Sequence, residues 1–373
     1  MFYFVRYSYS PNTAGTNRAM AILKALSEMR LSTRVIFFAP DSKQNRVRDS
    51  LPYIQFQYLW DKFYINIPKL KIISLRFYMK RFVQQVKSGD KIYVYGFPEL
   101  VVELSKRNDI FVYNERTEHN EASFVSIIKR TTIKEYMDAC RKISGMIVIS
   151  RGLKQYYIDN GCRPDQVFIM NMIVDTTRFI NLQKLSCEPY IAYCGTASNV
   201  KDGVNQLILS FAIVLNKHPE YKLYIIGSTP SKQQRFDNYE LAKELGIENN
   251  IVFTGEIPSE SIPQMLKNAK VLALNRPNNL QAKFGFPTKL GEYLLTANPV
   301  VLTNVGDISL FLKDGQSALI AEPNNPQDFA EKLIWTIEHP DEAKKIGENG
   351  RQIAIERFNY LTETKKIVKV MNL

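Results

Sequence analysis

Four polar segments of this 373-residue chain carry side chains able to do chemistry, and each follows a short apolar run. In residues 284–292, FGFPTKLGE, Gly285 permits an unusual turn and Pro287 suits the first position of a helix. Thr288 and Lys289 then fall in that helix's first turn, where backbone N–H groups and the helix dipole together favour a diphosphate. Glu292, about one turn further on, supplies a carboxylate that can accept hydrogen bonds from a ribose diol. In residues 195–203, GTASNVKDG, a strand-ending glycine is followed by Lys201, a cation placed to neutralise phosphate. The plainer readings are a solvated helix glutamate and a surface lysine.

The other two segments lie in the first half. Residues 11–18, PNTAGTNR, lead from a strand into a helix; Gly15 allows close approach of the loop to a ligand, with Arg18 at the same edge. A loop glycine and a surface arginine are the competing reading. Residues 114–120, NERTEHN, concentrate Glu115, Arg116, Glu118 and His119 just after a strand, where an α/β domain positions catalytic groups. His119, one of three histidines, can act as a base, orient an acceptor hydroxyl or cap a structure. No D-x-D segment offers a metal a place against a diphosphate. Neutralisation falls instead to helix termini, Lys201 and Arg116, with no metal expected. The phosphate loops G-x-G-x-x-G and G-x-x-x-x-G-K-[ST] are both missing, which weakens oxidoreductase and P-loop readings.

These segments need a scaffold, and the hydrophobic pattern supplies one. Short apolar runs at 2–8, 34–39, 91–95, 110–113, 145–150 and 168–173 alternate with helical stretches, the pattern of buried parallel strands. The alternation restarts after the polar segment NLQKLSCEP at 181–189. Strands are expected at 190–195, 221–227, 250–255, 270–274, 299–304 and 317–322, with helices at 204–215, 239–245, 262–268 and 289–296 and one beginning near 326. The expected fold is α/β: two Rossmann-like doubly wound domains, residues 1–187 and 188–357, facing each other across a cleft. Residues 358–373 form a final helix able to return to the first domain.

Composition narrows the setting. Four scattered cysteines, without C-x-x-C spacing or a histidine cluster, fit a reducing compartment. Arg6 interrupts the first apolar run, which reads as a strand rather than a signal segment. No uncharged apolar stretch is long enough to span a bilayer. The formal charge of +12 is concentrated in the first half: residues 1–187 hold 29 Lys/Arg against 16 Asp/Glu, and the remainder 20 against 21. Something anionic is therefore expected to meet the first half. Nucleic acid is not expected, because zinc-finger spacing and RNP-like aromatic motifs are lacking. Residues 67–86, IPKLKIISLRFYMKRFVQQV, read as a basic amphipathic helix suited to an anionic membrane surface, or as a helix covering the sheet.

The motifs together resemble the retaining GT-B glycosyltransferases of family 4, especially bacterial enzymes of capsule, exopolysaccharide or O-antigen assembly. The resemblance spans nearly the whole chain and is strongest over 190–321. FGFPTKLGEYLLTANPVVLTNVG corresponds to the family's E-x7-E segment, with Glu292 at the second glutamate, which contacts the ribose. Thr288 and Lys289 match positions whose amides meet the diphosphate, Lys201 the phosphate-binding lysine, and Gly15 the glycine of the N-terminal loop. NIVFTGEIPSESIPQML resembles the stretch that begins the base pocket, with Ile257 as a backbone contact. Two positions depart: Phe284 stands at the first glutamate, and Thr196 where a basic residue usually follows the strand-ending glycine. These departures bear on sugar selectivity and on one phosphate clamp.

The resemblance implies a metal-independent, retaining hexosyltransferase of polysaccharide biosynthesis with no permanently bound cofactor. Its donor is a nucleotide sugar, a UDP-sugar in preference to a GDP-sugar. Its acceptor is a saccharide or a lipid-diphosphate-linked saccharide, and its location cytoplasmic, peripheral on the inner face of the cell membrane. His119 resembles an N-domain histidine near the transferred sugar, with a positioning role ahead of general base. A non-catalytic sugar-nucleotide-binding relative and a nucleotide-sugar epimerase are the alternatives.

Overall fold

The computed structural model describes residues 1–10, 13–40, 47, 50–60, 68–120 and 131–373. The chain packs as two compact units: Met1–Asn171 together with Tyr360–Leu373, and Met172–Asn359. The polar segment 181–189 lies within the second unit, between a 3₁₀ turn at Thr176–Phe179 and that unit's first strand.

The first unit is built on a seven-stranded parallel sheet in the order β3-β2-β1-β4-β5-β6-β7. The strands are β1 (Phe2–Arg6), β2 (Thr33–Pro40), β3 (Ile54–Trp60), β4 (Lys91–Tyr95), β5 (Phe111–Arg116), β6 (Gly145–Val148) and β7 (Val167–Ile169). Phe4 pairs with Val35 on one side and Tyr93 on the other, and its ring stacks on Tyr93 at 5.0 Å. Central strands are buried almost throughout because helices cover both faces of a doubly wound sheet. β3 is missing from the sequence expectation: as an edge strand its IQFQYLW run leaves Gln55 and Gln57 exposed and hides the apolar signal.

Helix α1 (Ala14–Glu28) starts where Thr13 accepts a hydrogen bond from Thr16 N. Helix α2 (Pro68–Gln85) buries Leu75, Met79 and Phe82 at helical spacing. Ile67 lies outside the described residues, as do the side chains of Lys69, Leu70 and Lys71. Helices α3 (Pro98–Leu104), α4 (Ile133–Lys142) and α5 (Arg151–Asp159) complete the layers before the chain leaves the unit.

The second unit repeats the scheme with six strands in the order β10-β9-β8-β11-β12-β13. These are β8 (Tyr190–Cys194), β9 (Lys222–Ile226), β10 (Ile251–Gly255), β11 (Val271–Leu274), β12 (Val300–Thr303) and β13 (Leu319–Ala321). Between them run α6 (Asn199–Asp202), α7 (Val204–Leu215), α8 (Lys232–Glu244), α9 (Ile262–Asn268), α10 (Leu280–Phe284) and α11 (Lys289–Leu295), followed by α12 (Pro326–Glu338) and α13 (Pro340–Arg357). In both sheets the order reverses beside the first strand, between β1 and β4 and between β8 and β11. Ligands of open α/β sheets bind at such switch points, beyond the carboxyl ends of the strands.

Helix α14 (Tyr360–Met371) belongs to the first unit. Its Tyr360 hydroxyl donates to Glu28 Oε1 at 2.6 Å, and Lys24 lies 5.2 Å from the Tyr360 ring. Glu363 accepts from Asn171 N at 3.0 Å, fixing the residue at which the chain leaves this unit. Within the second unit Val174 and Asn359 form a β-bridge, so that unit's two ends run side by side.

Candidate functional site

In the second unit the residues at the switch point converge on one buried carboxylate. β8 ends at Cys194, and Ser198 caps α6 by accepting from Lys201 N at 3.0 Å. Asp202, last in α6, is 3% exposed. Its Oδ2 receives the Lys289 ammonium at 2.7 Å and the Tyr193 hydroxyl at 2.8 Å, and Arg276 Nε, just after β11, lies 3.7 Å from Oδ1. Burial opposes ionisation of Asp202, but Lys289 and Arg276 outweigh it and hold the carboxyl below its ordinary value. Arg276 also donates to the Lys201 carbonyl at 3.3 Å. The half-exposed Lys201 and the ammonium of Lys289 are thus tied to adjoining residues of one short helix.

Lys289 opens α11, after the turn through Pro287 and Thr288. Its ammonium lies 4.3 Å from the Tyr193 ring centre, and a Cβ at Gly195 would overlap it. Thr196 is exposed, and its carbonyl accepts from Tyr193 at 2.7 Å. The cation beside the strand-ending glycine is therefore Lys289, arriving from a distant part of the sequence. Leu290 N donates to the Pro287 carbonyl at 3.1 Å. The Thr288 and Lys289 N–H groups stand ahead of it at the helix start.

Glu292 is held by Arg178 from the turn at Thr176–Phe179. Burial pushes the Glu292 carboxyl up, and Arg178 opposes that shift. Arg178 also reaches Ser259 in the loop after β10, at 3.1 Å from its carbonyl and 3.4 Å from its Oγ. Ile257, half-buried, lies in the same loop. Next to it a cavity of about 200 Å³ opens between the ends of β9 and β10, bordered by Gly227, Ser228, Thr229 and Glu256. Phe284 ends α10 with Lys283 5.5 Å from its ring centre. Neither Arg178 nor Asp202 stands among the residues expected to form the site, since their partners are remote in sequence.

The first unit holds Gly15, Arg116 and His119. Gly15 lies in the first turn of α1, where its carbonyl accepts from Arg6 Nη1 at 3.1 Å. Arg6, the last residue of β1, lies 4.9 Å from the Tyr95 ring centre, and Tyr95 pairs in the sheet with Glu115. The glycine loop and the 114–120 segment are thus joined through Arg6 and Tyr95. Arg18 does not sit at the ligand edge. It is buried in an ion pair with Glu115, which also accepts from Tyr93, and it donates to the carbonyls of Met170 at 3.1 Å and Asn171 at 2.7 Å. An arginine with so many fixed acceptors anchors the fold. Arg116 ends β5 and donates to Asn120 Oδ1 at 3.2 Å. His119 is 3% exposed, its ring centre 4.2 Å from that of Tyr156.

Residues 176–353 match the family described as Glycosyl transferases group 1. The D-inositol 3-phosphate glycosyltransferase of Corynebacterium kroppenstedtii is 25% identical over 183 residues, covering 48% of this chain and 39% of that protein. The chain therefore spans well under half the length of that curated relative. Among solved structures, Anabaena HepE in complex with UDP superposes with a TM-score of 0.74 at 18% identity, over 100% of this chain and 99% of that one. Sucrose-phosphate synthase from Thermosynechococcus elongatus gives 0.76 at 14% identity, over 100% and 98%. Residues 176–353, within the second unit, thus match the group 1 glycosyl transferases, and the two Rossmann-like sheets are those of a GT-B architecture.

Proposed function

We propose that the chain transfers a hexosyl group from a nucleotide sugar, a UDP-sugar by preference, to a saccharide or lipid-diphosphate-linked saccharide with retention of anomeric configuration. The observation that carries this reading is the joining of Lys289 to Asp202 beside Lys201, with Glu292 on the same helix as Lys289. That sets cations, helix-start N–H groups and a carboxylate in the sequence a nucleoside diphosphate presents: phosphates, then ribose. The cavity beside Glu256 and Ile257 suits the base. HepE, similar in fold, was solved with UDP.

In this reading the second unit holds the donor, and the first, with Gly15, Arg116 and His119, serves the sugar and the acceptor. The bond from the sugar's anomeric carbon to the phosphate oxygen breaks as the acceptor oxygen bonds to that carbon from the same face. The acceptor's proton passes to the leaving diphosphate, whose charge Lys201 and the Thr288 and Lys289 amides stabilise. No carboxylate nucleophile is needed. Buried against Tyr156, His119 positions the sugar.

The exposed face of α2 supports attachment to an anionic membrane surface at the cytoplasmic side. Ile73 and Phe77 are 62% and 59% exposed, one turn apart, and Arg76, Lys80 and Arg81 are exposed beside them. Apolar side chains among cations are what an interfacial helix presents to lipid. No helix among the described residues is long and apolar enough to cross a membrane.

Calorimetry of UDP, GDP and ADP, followed by assays of nucleotide release from the matching sugar conjugates, tests the donor reading. Selective binding of UDP with turnover of a UDP-sugar is expected. Binding of none of the three by folded protein overturns it, and binding without transfer to any saccharide favours a non-catalytic binding protein.

A further inference from the structure

Arg178 stands in the 3₁₀ turn at Thr176–Phe179, which Asp175 stabilises by accepting from Thr177 N at 3.0 Å. The chain just before it is pressed against α11. A Cβ at Gly291 would lie 2.9 Å from Val174 Cβ and 3.0 Å from Met172 Cε, closer than real Cβ contacts run. Glycine at 291 thus lets the incoming segment cross the helix directly beside Glu292. From there the guanidinium divides its donors: Nη1 to Glu292 Oε1, Nη2 to Ser259. No hydrogen bond from the described residues reaches Glu292 Oε2, and the side chain keeps 20% exposure.

We infer that Arg178 is a positioning residue for nucleotide recognition, fixing one oxygen of Glu292 so that the other faces a ribose hydroxyl. It also ties the loop carrying Ile257 to the helix carrying Glu292. The inference rests on the reading of Glu292 as the ribose acceptor. Only a planar guanidinium can serve two elements in this way, because its donors diverge at fixed angles while an ammonium is a point charge. Arg178 also opposes the rise that burial imposes on the Glu292 carboxyl.

The test is calorimetry of UDP and 2′,3′-dideoxy-UDP against wild type, Arg178→Met, Arg178→Lys and Glu292→Gln, each checked for folding. Wild type should prefer UDP by about tenfold or more, the range of a hydrogen bond to a charged group. Arg178→Met should reduce that ratio to about that of Glu292→Gln, with the double variant no lower. Its UDP affinity should also fall more steeply than wild type's as pH is lowered. Arg178→Lys, which keeps a charge beside Glu292, should recover part of the ratio. Equal weakening of both nucleotides in Arg178→Met and Arg178→Lys, with the ratio and pH slope of wild type, overturns the inference. A wild type that binds both nucleotides equally removes the ribose role of Glu292, and one that binds neither removes the donor reading itself.

Discussion

Lys289 and Asp202, from helices on opposite sides of the β8/β11 switch point, form an ion pair at 2.7 Å with side-chain exposures of 17% and 3%. Such a pair is weak evidence for stability as a whole, yet removing one partner strands the other in a poorly solvated place. Asp202→Ala should lower unfolding free energy by about 3 kcal/mol or more, measured by urea denaturation. A loss under about 1 kcal/mol would mean that Lys289 swings out to water and that the pair organises nothing.

Because the Asp202 carboxyl is held below its ordinary value of 3.8, its stabilisation is complete above that value and lost as pH falls through the lowered one. Wild type should therefore lose more stability than Asp202→Asn between pH 4 and pH 2, read from midpoints of thermal unfolding. Parallel curves for the two proteins would contradict the depressed value.

Gly195 has φ +145, and a Cβ there would overlap the Lys289 ammonium. Gly195→Ala should cost about 1–3 kcal/mol in stability and weaken UDP binding at the same time. Titration of UDP against a variant confirmed as folded separates the two effects. Unchanged affinity would place the ammonium away from the phosphates.

His119→Ala should lower kcat by about tenfold or more while UDP affinity changes by less than about threefold. Glu292→Ala should show the reverse emphasis, with weakened nucleotide binding. Steady-state kinetics beside calorimetry distinguishes them, and undiminished turnover in the His119 variant would leave that residue a packing role against Tyr156.

Ile73→Ser with Phe77→Ser should reduce sedimentation with vesicles containing phosphatidylglycerol and leave transfer to a soluble saccharide unchanged. Retained sedimentation would assign the exposed face of α2 to something other than lipid.

The fold was legible where burial is two-sided. YIAYC, VLAL and VVLT become β8, β11 and β12 because a strand covered on both faces is apolar at nearly every position. β3 escaped because an edge strand alternates, and α8 begins earlier than expected because its first turns are polar and announced only by the Ser231 cap. At the candidate site, strand-ending glycines and helix starts were readable because their chemistry is local. Arg178 was not, since its contact with Glu292 spans 114 positions. Arg18 misled for the same reason: a polar loop looks solvated until Glu115, 97 positions away, folds against it. Lys289 was expected to offer its amide, and its side chain's place beside Gly195 follows only from where the sheet sets α11.

The return of α14 to the first unit has a consequence for biosynthesis. The ribosome releases Tyr360–Met371 only after the whole of Met172–Asn359 has emerged. The second unit is an uninterrupted insert whose ends are bridged at Val174 and Asn359, so all of its own contacts can form without the last helix. The first unit, begun earlier, must wait with the surface of α1 uncovered until the last helix arrives to supply Tyr360 to Glu28 and Glu363 to Asn171.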